Sequence, residues 1–172
     1  MGILDWLTGT RRPPPGVPAE PPEAVRQAIL SVNRPTAPFV VRACTPGDPE
    51  QADLVCEWRM REPGWYIVFG KAELQRSFQV FMRLDPRRRR VRSIDRSQSV
   101  TWSAGIPSIG CQSRWSRGRE YEFRLDFQPF YETTPQGERI AWRFSSRDLE
   151  RPLWEAVAKA GWTWRSISWG RL

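Results

Sequence analysis

From Phe39 onward the apolar residues of this chain return at every second position. That period belongs to the alternating faces of a β-strand, not to the roughly 3.6-residue turn of a helix. EYEFRLDFQ, residues 120–128, is the clearest instance. Tyr121, Phe123, Leu125 and Phe127 fall on one side, and Glu120, Glu122, Arg124, Asp126 and Gln128 on the other. A strand of this kind buries one face and wets the other, which is the habit of an antiparallel sheet. SFQVFMRL, residues 77–84, places Phe78, Val80, Met82 and Leu84 together. FVVRAC at 39–44 and LVCEWRM at 54–60 flank a Pro/Gly/Asp loop and predict a hairpin. WYIVF at 65–69, VRSID at 91–95, SVTWSA at 99–104, RIAWRF at 139–144 and WTWRSISWG at 162–170 add further strands. KAELQR at 71–76 fits either one helical turn or a strand continuation.

Two segments keep a helical period instead. In PEAVRQAILSVN, residues 22–33, Val25, Ala28, Ile29 and Val32 form one apolar stripe, and Pro22 suits the first helical position. SSRDLERPLWEAVAKAG reads as a turn leading into a short helix at about 151–160, with Pro152 in its first turn and Gly161 as a left-handed cap. The expected fold is α+β. A curved, mostly antiparallel sheet or partly closed barrel carries an N-terminal helix and a short C-terminal helix followed by a last strand. Residues 1–12 form a short apolar segment, and PPPGVPAEPP contains six prolines and makes residues 13–21 an extended linker. Residues 22–172 then form a single domain, a length that suits one core.

Charge is unevenly placed. Residues 1–80 hold nine basic and nine acidic side chains, and residues 81–172 hold eighteen and ten, so the net +8 lies wholly in the second part. Such asymmetry points to an anionic surface as partner, or to solubility alone. The loudest stretch is DPRRRRVRSIDR, residues 85–96. Asp85-Pro86 initiates a turn between two strands. The arginines are therefore either a solvated hairpin tip that keeps a sheet edge soluble or a hand for phosphate. In the second case Arg87, Arg88, Arg89, Arg90 and Arg92 are the contacts. Trp102 and Trp115 stand near enough in sequence to stack on bases. Trp58, Trp142 and Phe144 fall on inward positions and are expected in the core. Trp164 and Trp169 fall on opposite faces of the last strand, and either is a contact for a ligand or partner if its face is uncovered. Ile3, Leu4, Trp6 and Leu7 could hook a membrane or another protein, with Arg11 and Arg12 behind them.

Enzymatic chemistry is disfavoured. The chain has no histidine, so the commonest general base and neutral metal ligand are missing. Cys44, Cys56 and Cys111 make no metal-ligand spacing and no C-x-x-C pair. No phosphate-cradling glycine loop or nucleophile-elbow motif occurs. No catalytic residue, metal or cofactor is therefore predicted. The odd cysteine number and the lack of a signal-peptide pattern at MGILDWLTGTRR lead to an expectation of a cytoplasmic protein, with peripheral membrane contact through residues 1–12 as an addition.

ADLVCEWRM, FQVFMRLDP, VTWSAGIPS, PLWEAVAKAGWTWR and the MG start before a proline linker resemble a family of small uncharacterised actinobacterial proteins. The resemblance covers residue 20 onward and transfers no site residues. A weaker likeness is to tubby-like, scramblase-related barrels, in which antiparallel strands enclose a C-terminal helix. The functional expectation is a non-enzymatic domain that binds a macromolecule, either an anionic one or a protein. The alternatives are an apolar-ligand binder with an aromatic pocket and a sequence-tolerant nucleic-acid binder using Arg87–Arg92.

Overall fold

A computed structural model describes residues 9–72, 74–109, 129–167 and 172, and the backbone of 116–117. The predicted strand at 120–128 and Ile3, Leu4, Trp6, Leu7, Cys111, Trp115 and Trp169 lie outside the described residues.

The chain opens with β1 (Thr10–Arg11) and helix α1 (Pro22–Leu30). The predicted hairpin follows as β2 (Phe39–Ala43) and β3 (Leu54–Trp58), paired from Phe39↔Trp58 to Ala43↔Leu54. Next come a 3-10 turn (Pro63–Trp65) and α2 (Tyr66–Lys71). Then β4 (Arg76–Asp85) and β5 (Arg90–Ser103) form the long central hairpin. β6 (Ile106–Ile109) and β7 (Ser116–Arg117) pair with the far half of β5. Among the described residues β8 (Phe130–Thr133) and β9 (Arg139–Trp142) pair only with each other. Helix α3 (Ser146–Lys159) and β10 (Thr163–Ser166) complete the order.

The fold is α+β, as the sequence predicts, but the sheet is open rather than a partly closed barrel. Its strands run β1-β10-β5-β4-β3-β2, and the two ends do not meet. The reason lies in the last crossover. α3 carries the chain back across one face and delivers β10 parallel to β5, while β1 adds antiparallel to its outer side. The sheet thus grows sideways.

Three local predictions need correction. WYIVF is a helical turn, not a strand. Strand geometry would align Trp65, Ile67 and Phe69, whereas the helix brings Trp65 and Phe69 together at 6.2 Å and leaves Ile67 71% exposed. Pro63 at the first turn starts this helix, and Trp65 N donates to Glu62 O. The C-terminal helix starts at Ser146, not near 151. Ser145 Oγ accepts from Asp148 N and Asp148 Oδ2 accepts from Ser145 N, a capping box that closes both orphan donors. Pro152 consequently lies inside the helix. VRSID and SVTWSA are one continuous strand, because Ser97 and Gln98 hold their places opposite Phe78 and Ser77.

Both long helices cover one face of the sheet. Val25 and Ile29 of α1 and Leu149, Leu153 and Val157 of α3 meet Leu54, Cys56, Phe78, Val80 and Met82 from the strands. An aromatic chain runs through this core. Trp142 meets Phe39 at 5.4 Å and Trp58 at 6.1 Å edge-on, and Phe144 meets Trp58 and Phe69 at 5.2 Å each. Edge-to-face geometry adds to the area that such rings bury.

The proline-rich run is strapped onto this body. Glu20 N donates to Ala160 O and Trp162 Nε1 donates to Glu20 O. Gly161, at φ +74, ends α3 as predicted, and a Cβ there would lie 2.2 Å from Pro18 O.

Candidate anion-binding face

The register of the central strands sorts the arginines. In paired strands, residues directly opposite point to the same face. Val91 pairs with Leu84 and with Trp164, which puts all three on the helix-covered side. Their neighbours occupy the other side. There Arg83 pairs with Arg92, and Arg92 pairs with Arg165. Three successive strands thus carry arginine at one level. Neighbouring strands lie about 4.8 Å apart, so the three Cα atoms span roughly 10 Å. Arg83 and Arg165 are exposed and Arg92 is half-buried.

Like charges at adjacent rungs repel. Arg92 registers this: burial pushes its pKa down, and the charges of Arg90, Arg165 and Arg83 push the same way, against Asp85. A guanidinium nevertheless stays ionised in neutral solution. At the β3 end of the row Asp53 turns its carboxylate to Leu84 N at 2.7 Å. Arg83 Nη1 donates to Leu172 O at 3.0 Å, and Leu172 packs on Val55, Phe81 and Ile94, the next level of this face.

Arg42 pairs with Asp48 and Glu57, Arg59 with Glu62, and Arg96 with Glu50. Arg34 pairs with a buried carboxylate, Glu132. Burial alone would raise the pKa of Glu132, but hydrogen bonds from Arg34, Thr36 and Trp142 outweigh it and hold the carboxyl below its usual range.

The arginine run itself divides three ways. Asp85 builds the tip: its Oδ1 accepts from Arg88 N and its Oδ2 from Arg90 Nε. Arg87 and Arg88 lie on the 3-10 turn Pro86–Arg88, and Arg89 adopts a left-handed φ of 46°. These three are exposed. Arg90 folds back onto Asp85, and Arg92 joins the row with Arg83 and Arg165. Thr163 N donates to Arg89 O, so β10 extends the sheet right up to the tip.

Of the proposed stacking and contact residues, the two described ones, Trp102 and Trp164, do not join this face. Trp102 lies ten positions beyond Arg92 on β5, roughly 33 Å along an extended strand. Trp164 is 1% exposed, faces the helices and donates from Nε1 to Ser166 Oγ. Arg83 and Arg165 are the members that sequence reasoning missed. Alternation does put Arg83 opposite Phe78, Val80 and Met82. Nothing local places it beside Arg165, because that contact depends on the parallel insertion of β10.

The described thiols carry no activated chemistry. Burial, with Asp48, pushes Cys44 up to about 11, and burial pushes Cys56 well above its ordinary value. Among the described residues no group of three His, Cys, Asp or Glu could hold a metal ion. No helix among them is long and apolar enough to cross a membrane. Comparison of the chain with protein-family profiles, with curated proteins and with solved structures finds no match.

Proposed function

We propose that this chain is a binding domain for an anionic macromolecule, engaged through the open sheet face at Arg83, Arg92 and Arg165 and the adjoining tip at Arg87, Arg88 and Arg89. The observation that carries this reading is the arginine row itself, three guanidinium-bearing residues in register on three strands. Such a row costs the folded protein repulsion that a bound anion relieves. Guanidinium forks match phosphate oxygens bidentately, and a rigid sheet fixes their spacing before the partner arrives. Contacts of this kind read backbone charge, so the binding tolerates sequence.

A labelled DNA duplex titrated by fluorescence anisotropy at low and moderate salt tests the reading. The logarithm of affinity should fall with the logarithm of salt at a slope of about −0.9 per phosphate contact. Changing Arg83 and Arg165 to Ser should flatten that slope, and changing Arg87, Arg88 and Arg89 to Ser should flatten it further. Binding to phosphatidylserine vesicles but not to duplex would keep the face and assign it to a membrane surface. Binding to neither would overturn the proposal.

A further inference from the structure

We propose a second, separate site: the outer face of the β8–β9 hairpin takes an unpaired base of a single-stranded nucleic acid, stacked on the Tyr131–Arg139 pair, with the flanking phosphates at Arg139 and Arg143. The inference rests on the reading above in taking an anionic polymer as partner, but it uses different residues on a different sheet. It also narrows the partner, because only a strand whose bases are unpaired and splayed out can offer a ring to an aromatic platform.

Register and burial build the platform. Phe130 pairs with Trp142 and Glu132 with Ile140, whereas Tyr131 pairs with Ala141 and Thr133 with Arg139. Directly opposite residues share a face, and faces alternate along each strand. The first set faces inward. Phe130 meets Trp65 at 5.7 Å, Trp142 meets Phe39 at 5.4 Å, and Glu132 is held by Arg34. These contacts fix the hairpin, so its outer face is ordered before a partner arrives. On that face Tyr131 is 50% exposed, the most exposed aromatic side chain among the described residues. Arg139 lies diagonally across the strand pair, its guanidinium carbon 4.0 Å from the Tyr131 ring centroid. Arg139 is itself exposed, so the stacked guanidinium keeps a flat side and an N–H edge towards solvent. The flat side suits a base, and the edge suits a phosphate oxygen. Ala141, exposed and directly across from Tyr131, covers little of the ring, although a strand favours a β-branched or aromatic residue there. Arg143 is exposed just past the end of β9, roughly 13 Å along the strand from Arg139. The nearby Asp148 carboxylate is turned to the backbone N–H groups of Arg143 and Ser145.

The test is a titration of the full chain into a short fluorescein-labelled DNA single strand and, separately, into its duplex, read by anisotropy at one salt concentration. Wild type should bind the single strand. Tyr131→Ala should weaken that binding about tenfold, the loss of one base stack, and leave duplex binding unchanged. Tyr131→Phe keeps the ring and should bind as wild type does. Arg139→Lys keeps the charge and loses the plane, and it too should weaken the single strand alone. Circular dichroism checks the fold of each variant, and the Arg139→Lys result decides the matter if Tyr131→Ala does not fold. The inference is overturned if wild type does not bind the single strand, or if folded Tyr131→Ala and Arg139→Lys bind it as wild type does. Its failure is distinct from failure of the arginine row. If changing Arg83 and Arg165 to Ser weakens duplex binding while both hairpin variants match wild type, the row stands and the hairpin site falls. If the hairpin variants lose the single strand while the row variant binds both forms as wild type does, the hairpin site stands and the row falls.

Discussion

Arg34 and Glu132 stand 98 positions apart and form a two-pronged ion pair, Nε to Oε1 at 2.8 Å and Nη2 to Oε2 at 3.0 Å. Thr36 Oγ1 and Trp142 Nε1 complete the carboxylate's shell at 2.8 and 2.9 Å. The Glu132 side chain is fully buried. This node fastens the separate β8–β9 hairpin to the loop between α1 and β2.

Removing one partner should therefore cost far more than a surface pair would. Glu132→Gln leaves the half-buried Arg34 guanidinium facing a neutral amide, and the loss should be about 3–5 kcal/mol. Urea denaturation measures it. The pH dependence follows from the sign of the shift. The folded pKa lies below the unfolded value, so this stabilisation is present above the ordinary carboxylate range. It is lost as pH falls from that range through the lower folded value. Wild type should lose melting temperature on acidification more steeply than Glu132→Gln. Equal slopes would remove Glu132 as the cause.

Gly161 is a second point where one atom decides the outcome. Its left-handed φ costs an L-residue about 1–2 kcal/mol, and the added Cβ would collide with Pro18 O at 2.2 Å. The proline strap must then lift from α3, breaking the bonds of Glu20 to Ala160 and Trp162. Gly161→Ala should destabilise by more than the backbone term alone. It should also speed proteolysis between residues 13 and 20. A loss of stability without faster cleavage would mean that the strap stays docked.

These two residues show what the sequence makes legible and what it withholds. Gly161 was readable, because a helix stripe ending at a glycine is a local signal. So were the β2–β3 hairpin and the core places of Trp58 and Trp142, since period-two alternation reports faces directly. The helix at Tyr66–Lys71 was not readable. Three apolar side chains at 65, 67 and 69 fit a strand as well as a turn, and only the positions of Phe130 and Phe144 favour the turn. The α3 start was written in S-S-R-D, a capping signal that the following proline overshadowed. The arginine row was half visible. Arg92 announces itself within its run, but its pairing with Arg83 and Arg165 is a fact of register across three strands. Register is set by tertiary packing, and no window of sequence contains it.

Two core tryptophans should respond differently to the same change. Trp142 donates its N–H to Glu132, whereas Trp58 Nε1 is buried and meets no acceptor among the described residues. Trp142→Phe removes a bond to a charged group as well as part of a ring. Trp58→Phe removes a ring segment but also a polar group buried without a partner, and the two effects oppose each other. Trp142→Phe should thus be the more damaging by about 2 kcal/mol. Denaturation midpoints of the two variants decide it, and equal losses would mean that ring volume alone sets both costs.

The arginine row permits a test in which stability and binding move in opposite directions. Arg165→Glu replaces a repulsive rung with an attractive one, since Arg92 lies directly across the β5–β10 pair. Opposite charges at facing positions contribute about 0.2–1 kcal/mol, so the variant should unfold at a slightly higher urea concentration than wild type. Its affinity for an anionic polymer should fall, because one positive charge of the row is reversed. A residue kept only for the fold would not behave this way, since its replacement would lower stability or leave it unchanged. If Arg165→Glu weakens both folding and binding, the loss of binding follows from damage to the sheet. If it raises stability and leaves binding intact, the partner does not touch this row, and the exposed tip at Arg87–Arg89 must act alone.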